Sequence, residues 1–186
     1  MPSLIVVFDT CVLFPAVLRD TLLTAAEANL YELYFTDDIL EELRRNLVSQ
    51  RGIPENKAQK VITIMKEVFR ESLVTNDYRT LIAAMPNNEK DRHVLAAAVA
   101  CNAQIIVTQN LRVFPQHHLA PFSIKAQAPD EFLTHLFYLN SKQVTEMILN
   151  QALKLHNPPK TPGELLNTLN KHTPNFVQLV RRELRL

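Results

Sequence analysis

The chain has 186 residues, of which 47% are hydrophobic and only 2 are glycine, and its formal net charge is +1. Glycine-rich loops that bind phosphate need two or three glycines within a few residues, and Gly52 and Gly163 are far apart, so such a site for NAD, FAD or ATP is excluded. The apolar fraction supplies a buried core and excludes a disordered chain, while the balanced charge neither requires nor excludes a nucleic-acid partner.

The composition also indicates where the protein works. No apolar run approaches the roughly 18 residues of a membrane span, and no basic segment precedes the short apolar run at the N-terminus. Cys11 and Cys101 each lie in an apolar stretch, which favours reduced thiols over a disulfide. We therefore expect a soluble, cytoplasmic protein that is not exported and has no membrane contact.

Strands and helices alternate through the first two thirds of the sequence. The continuous apolar run Leu4–Phe8 predicts a strand that is buried on both faces, as in a parallel sheet. The predicted elements that follow are a helix over about 11–29, a short strand over 31–35, a helix opened by Thr36, a helix over about 54–70, a brief strand at 73–74, a helix over 89–101 and a strand over 104–107. This order predicts a three-layer α/β/α sandwich with a central parallel sheet over residues 1–127.

The character of the chain changes at residue 128. One long helical pattern covers residues 129–156, a proline-rich break follows it at 158–162, and two short helical stretches complete the sequence. Residues 128–186 are therefore predicted to form an all-α C-terminal extension with a proline hinge.

Polar residues directly follow two of the predicted strands. Asp9 comes after the first strand, and Thr108 and Asn110 come after the strand over 104–107. In an open parallel sheet the functional crevice lies beyond the carboxyl ends of the strands, so these side chains are candidates for a site.

Two helical acids are predicted to face the same edge. Asp91 shares a helix face with Leu95 and Ala98, so its carboxylate should point inward beside the sheet. Glu42 lies at the edge of the apolar stripe of its helix, whereas Glu41 is rotated by about 100° and is expected to be solvated.

Three carboxylates at one edge would repel one another unless a cation lies between them. The oxygen ligands of Asp9, Glu42 and Asp91 suit Mg²⁺ or Mn²⁺, which retain several waters. Such a metal activates a bound water for attack on phosphorus. Thr108 and Asn110 are expected to orient the water molecules and the loop beside the metal. The pattern indicates phosphodiester hydrolysis.

Four motifs in this order resemble a PIN domain over about residues 3–127. They are Phe8-Asp9-Thr10, Ile39-Leu40-Glu41-Glu42-Leu43, the segment Asp91–Ala98 and the segment Val107–Pro115. The resemblance implies a metal-dependent ribonuclease with an acidic site. It places Asp9, Glu42 and Asp91 among the metal-binding acids and Thr108 and Asn110 in the final polar motif.

The last motif departs from the family pattern. Many members have another aspartate at the position of Asn110 or of Val113. A neutral amide cannot supply negative charge, so the second metal ion is left open and one ion is expected.

The extension, which begins Pro129-Asp130-Glu131-Phe132-Leu133, resembles that of VapC-like members, the toxin half of bacterial toxin–antitoxin pairs. The resemblance implies an RNA substrate, inhibition of translation by RNA cleavage, and a small antitoxin protein that blocks the site. It leaves open a homodimer and a free-standing RNA-processing nuclease.

Other interpretations of the same residues stay open. Asp9 suits a helix cap, Asp91 a partner of the helix dipole and Glu42 a solvated acid, and a non-catalytic PIN-like scaffold for RNA or protein is the alternative function. A haloacid-dehalogenase-like phosphatase, with Asp9 as phosphate acceptor, is disfavoured because Cys11 stands where that family has a second aspartate.

Basic residues and histidines accompany the acidic motifs. The basic residues suit either RNA phosphates or ordinary solvated helix faces; they are Arg44, Arg45, Lys90, Arg92 and Arg112. The histidines lack a metal-ligand spacing and are expected to be structural; they are His93, His117 and His118.

Overall fold

The computed structural model describes residues 4–75, 77–156 and 158–186, which form two compact units. The first unit comprises Met1–Phe14 and Tyr31–Gln127, and the second comprises Pro15–Leu30 and Ala128–Leu186. None of the helices within the described ranges combines the length and apolar character that a membrane crossing requires.

The first unit is built around a four-stranded parallel sheet. Its strands are β1 (Ile5–Phe8), β2 (Glu32–Tyr34), β3 (Ile105–Val107) and β4 (Lys125–Gln127), in the order β2-β1-β3-β4. Val6, Val7 and Phe8 of β1 are completely buried, which explains the continuous apolar run at the start of the sequence. The predicted class, an α/β sandwich with a parallel sheet and a helical C-terminal extension, is confirmed.

Ten α-helices complete the described chain. They are α1 (Thr10–Leu13), α2 (Ala16–Glu27), α3 (Asp37–Arg51), α4 (Glu55–Val68), α5 (Arg92–Ala100), α6 (Gln116–Leu119), α7 (Pro129–Leu139), α8 (Ser141–Lys154), α9 (Pro162–Leu169) and α10 (Pro174–Leu184). Short 3₁₀ turns lie at Arg70–Ser72, Tyr78–Ala84, Glu89–Asp91, Leu111–Val113 and Ala120–Phe122.

Two long predicted helices are each divided in the structure. The pattern over 11–29 forms α1 and α2, which are separated at Pro15 because proline has no N–H to donate to a continuing helix. The pattern over 129–156 forms α7 and α8, which are separated at Asn140. Asn140 leaves the helical conformation, with φ −156° and ψ 77°, and its side chain accepts a hydrogen bond from Gln143 N–H at 3.1 Å.

The structure also differs from the prediction at two strands. β4 was not predicted, because a three-residue edge strand carries too little apolar pattern to stand out. Leu73, in the predicted brief strand, forms a single parallel bridge with Phe35 rather than a strand of its own.

Helix α3 is well specified by its ends. The hydroxyl of Thr36 accepts a hydrogen bond from Ile39 N–H at 3.2 Å, and Asp37 and Asp38 occupy the positive first turn. Gly52 ends the helix in the left-handed region, with φ +62°. These ends fix which residues of α3 face the core and which lie beside the sheet edge.

The second unit is entirely helical within the described residues, apart from a single bridge between His156 and Pro159. Helix α2 packs against α8 and α9, and Thr21 donates a hydrogen bond to Gln151 at 3.1 Å. The units therefore differ from the predicted domain ranges 1–127 and 128–186 at one segment, because α2 packs with the C-terminal helices.

Candidate functional site

The sheet topology brings Asp9 and Thr108 side by side. β1 lies between β2 and β3, so the connection after β1 adds β2 on one side and the next connection crosses over to add β3 on the other side. Open α/β sheets place their binding sites at such a switch in strand order. Asp9 N–H donates to the carbonyl of Val107 at 3.0 Å, and the Thr108 hydroxyl donates to Asp9 Oδ2 at 2.7 Å. Both side chains are buried, and Asp9 keeps 6% of its surface exposed.

The Cys11 thiol is a second donor to the same carboxylate oxygen. Its Sγ lies 3.1 Å from Asp9 Oδ2, and it accepts a hydrogen bond from Gln109 N–H at 3.2 Å. Burial, with a contribution from the charge of Asp9, raises the pKa of Cys11 to about 12, so the thiol keeps its proton and donates it. Cys11 is therefore part of the site and not only a core residue.

Glu42 is held in a similar way by two neighbours. Thr10 donates its hydroxyl proton to Glu42 Oε2 at 3.0 Å, and His93 Nε2 lies 3.4 Å from the same oxygen, an ion-pair distance without good hydrogen-bond alignment. His93 lowers the pKa of Glu42, burial opposes this, and Thr10 adds to the lowering. The net lowering of its pKa favours the ionised form of Glu42. Glu41, in contrast, turns away from the site: 51% of its side chain is exposed, and it pairs with Arg44.

His93 binds its proton more tightly because of this contact. Burial acts to lower its pKa, but the proximity of Glu42, a bond to the Lys90 backbone and the charge of Asp38 outweigh burial and raise it. The His93 side chain comes from the first turn of α5 and reaches Glu42 of α3, with 17% of its surface exposed.

Asp91 completes the acidic group. It lies at the end of the 3₁₀ turn Glu89–Asp91 and at the N-cap position of α5, but its side chain makes no capping hydrogen bond. Burial raises the pKa of Asp91, and the negative charges of Asp9 and Glu42 raise it further. The charges of Asp9 and Glu42 therefore both act on Asp91.

Asn110 joins the site through its backbone. Its N–H donates to the Thr108 hydroxyl at 3.0 Å, and its side chain is exposed. The described contacts thus link Asn110 to the acids only indirectly, through Thr108 and then Asp9.

The donor set fits a hard divalent cation that keeps part of its water shell. Within residues 4–75, 77–156 and 158–186, no three His, Cys, Asp or Glu side chains are arranged to hold a metal ion together. Among the described residues, the side-chain contacts fall on Oδ2 of Asp9 and on Oε2 of Glu42, so each carboxylate keeps its other oxygen for a further ligand. Mg²⁺ typically binds one or two carboxylates directly and retains several waters, which suits this arrangement.

Sequence reasoning missed three neighbours of the acids. Thr10, Cys11 and His93 contact Asp9 or Glu42, and each lies within two residues of a predicted acid. A search for donors directly beside the predicted carboxylates would have found all three.

Comparison with known proteins places the chain in a family. Residues 5–112 match the PIN domain family. The chain belongs to the PIN domain family. All five predicted site residues of this PIN domain protein lie within the matched range; they are Asp9, Glu42, Asp91, Thr108 and Asn110.

The C-terminal helices of this PIN domain protein match a second family. Residues 129–182 match the VapC50 C-terminal domain. The chain is also 46% identical, over 105 residues, to a protein of Mycobacterium tuberculosis (strain ATCC 25618 / H37Rv) named "Putative ribonuclease VapC50". The similar region covers 56% of this chain and 62% of that relative. No solved structure matches this PIN domain protein.

Proposed function

We propose that this PIN domain protein is a divalent-metal-dependent endoribonuclease that hydrolyses RNA phosphodiester bonds. The proposal is supported by the position of Asp9 at the carboxyl edge of the sheet, where it accepts a hydrogen bond from Thr108 at 2.7 Å, and by the rise in the pKa of Asp91, which burial and the charges of Asp9 and Glu42 cause. The ribonuclease name of the similar Mycobacterium tuberculosis protein supports the same reaction.

Asp9, Glu42 and Asp91 would hold Mg²⁺ or Mn²⁺ in part directly and in part through the waters that the ion retains. When bound, the metal supplies an acidified water as nucleophile and neutralises charge on the phosphate. One ion is sufficient for this chemistry, and the neutral Asn110 adds no charge for a second.

The other residues keep the carboxylates ready. Thr108 and Cys11 fix Asp9 through Oδ2 and leave Oδ1 for the metal or its water. Thr10 and His93 do the same for Glu42 through Oε2. Because these donors come from folded elements, the ligands need little reorganisation when the cation and RNA arrive.

We further propose that the protein is the toxin of a toxin–antitoxin pair and works in the cytoplasm. The match of residues 129–182 to the VapC50 C-terminal domain and the VapC name of the relative support this role. A small antitoxin protein would then be its partner, and RNA cleavage would inhibit translation.

Cleavage of a labelled RNA by the purified protein tests the nuclease proposal. Wild type should cleave in Mg²⁺ and stop in excess chelator, and Asp9→Asn should lose roughly 100-fold or more because the buried carboxylate loses its charge. Asp77→Asn, an exposed acid of the same unit, is the matched control and should keep full activity. Equal cleavage by wild type, by Asp9→Asn and in chelator would overturn the proposal.

Controlled expression in a bacterial host tests the toxin proposal separately. Wild type should arrest growth, Asp9→Asn should not, and co-expression of the small protein encoded beside this gene should restore growth. A wild type that cleaves RNA in vitro but never slows growth would contradict the toxin role and leave the nuclease intact.

A further inference from the structure

A cleft of about 960 Å³ lies along helix α3 beside Glu42 of the candidate site. Glu42 and His93 form part of its lining, which ties it to the candidate site, and it continues past Arg45 toward Ser49 and Glu55. Its volume is near the upper end of the range for ligand pockets. A chain molecule that enters the acidic site therefore has room to continue along α3.

Most acids of this cleft are already neutralised by basic partners. Arg44 forms ion pairs with both Glu41 and Glu55, and Asp38 pairs with Arg79 at 3.0 Å. These pairs leave little net negative charge along the cleft apart from Glu42 itself.

Two cations of the cleft are not neutralised in this way. Within the described residues, the side chains of Arg45 and Lys90 have no ion-pair partner and no hydrogen bond. Both side chains are exposed. Arg45 lies three residues after Glu42 on α3, and Lys90 directly precedes Asp91, so each cation stands beside one acid of the site.

We propose that Arg45 and Lys90 each bind a backbone phosphate of the RNA close to the one that is cleaved. This inference rests on the proposed function and identifies the part of the surface along which the substrate lies. RNA is a polyanion, and the acids would repel it unless cations beside them compensate for its charge. Among the described residues that line the cleft, Arg45 and Lys90 can compensate for this charge, because Arg44 already forms ion pairs with two carboxylates.

Arg45 and Lys90 differ in their contacts from other basic residues near the acidic motifs. Arg92 donates its Nε–H to the Asn87 carbonyl at 3.2 Å, and neither Arg92 nor Arg112 forms part of the lining of the cleft. The structure thus selects two of the five basic residues that accompany the acidic motifs in sequence.

Binding in the absence of cleavage tests the inference. In the full-length Asp9→Asn protein without divalent metal, the dissociation constant of a fluorescent 12-nucleotide single-stranded RNA is measured by anisotropy at several KCl concentrations. Arg45→Gln and Lys90→Gln should each weaken binding about threefold to tenfold and lower the slope of log K against log salt by about 0.7, the value for one phosphate contact on a single strand.

Lys60→Gln is the matched control, because it removes one exposed positive charge of the same unit from outside the cleft. It should change affinity less than twofold and leave the salt slope unchanged, and Arg45→Lys should retain most of the binding. Equal losses for Lys60→Gln and Arg45→Gln, or no loss for Arg45→Gln and Lys90→Gln, would overturn the inference.

The outcome is distinguishable from failure of the nuclease proposal. In a background with Asp9 intact, Arg45→Gln should raise KM for RNA with little change in kcat, because it acts on binding away from the reacting phosphate. If wild type binds RNA through these cations but never cleaves it, the nuclease proposal fails and the phosphate contacts stand.

Discussion

In the part of the chain that the structure describes, two carboxylates of the candidate site each have one oxygen in contact with neighbouring side chains and one oxygen without such a contact. Thr108 and Cys11 engage Asp9, and Thr10 with His93 engages Glu42. A carboxylate fixed in this way presents its remaining oxygen in one direction, which is what a weakly held, partly hydrated cation needs.

Neighbouring glutamates on α3 give a direct test of this assignment. Glu42→Gln should reduce RNA cleavage roughly 100-fold or more, because an amide no longer supplies the charge that a cation requires. Glu41→Gln should keep activity within about threefold, because Glu41 is exposed and faces Arg44, and a lost surface ion pair has a small effect. Initial cleavage rates of the two variants test this assignment. Equal losses of activity in Glu42→Gln and Glu41→Gln would show that Glu42 is not a residue of the site.

The Thr108 hydroxyl provides a second test at this scale. Thr108→Val keeps the shape of the side chain but removes the donor to Asp9 Oδ2, so activity should fall about 10-fold to 100-fold and half-maximal activity should need more Mg²⁺. Thr108→Ser keeps the hydroxyl and should restore most of the activity. Thr63→Val, at an exposed position of α4, should change neither quantity. An unchanged Mg²⁺ requirement in Thr108→Val would contradict the positioning role.

The acids of the candidate site were accessible to sequence reasoning, but which donor contacts which acid was not. Asp9 follows an apolar strand and Asp91 shares a face with apolar residues, so local pattern alone singles them out. The contacts of Glu42 with Thr10 and His93 join residues 32 and 51 positions apart, and they exist only once α3 and α5 are packed. Local periodicity contains no information about such pairs.

At the level of elements, the sequence was most informative where a helix end has its own chemistry. Thr36 with two aspartates marks the start of α3, and Gly52 marks its end. The break at Asn140 was missed because the apolar spacing continues on both sides of it, and a single polar residue also fits an exposed helical position. Element type was therefore predictable, whereas continuity of the long helices was not.

Replacement of each of the two glycines by alanine should change the free energy of unfolding in opposite directions. Gly52 has φ +62°, where a Cβ is strained even though nothing lies within 4 Å, so Gly52→Ala should destabilise the protein by about 1 kcal/mol. Gly163 has no such conformation and lies in the first turn of α9, so Gly163→Ala should stabilise by about 0.5 kcal/mol through helix propensity and a less flexible unfolded chain.

Urea unfolding followed by far-ultraviolet circular dichroism measures both changes. The midpoint should fall for Gly52→Ala and rise for Gly163→Ala, and Gly52→Asn should lie near wild type because asparagine tolerates the left-handed region. A midpoint for Gly52→Ala at or above that of wild type would show that the strain at this helix end is negligible.

At the scale of the whole molecule, the chain leaves its first unit at Phe14 and returns to it at Tyr31. The intervening helix α2 belongs with the C-terminal helices, and its bond from Thr21 to Gln151 spans 130 positions. In sequence, α2 is an ordinary amphipathic helix between two strands. Its local pattern does not show whether its apolar face packs against the sheet of the first unit or against helices far along the chain. That is why the composition change at residue 128 suggested a simple division into consecutive ranges.

Removal of residues 128–186 should therefore leave α2 without the helices that it packs against. Leu18 and Leu22 are completely buried in the intact chain, and exposing them costs on the order of 2 kcal/mol each. We expect the 1–127 fragment to melt at a lower temperature than the full chain and to aggregate in size-exclusion chromatography. Leu22→Lys supplies an internal control, because it should destabilise the full chain but make the fragment more monodisperse. A fragment as stable and monomeric as the full chain would show that α2 does not depend on the C-terminal helices.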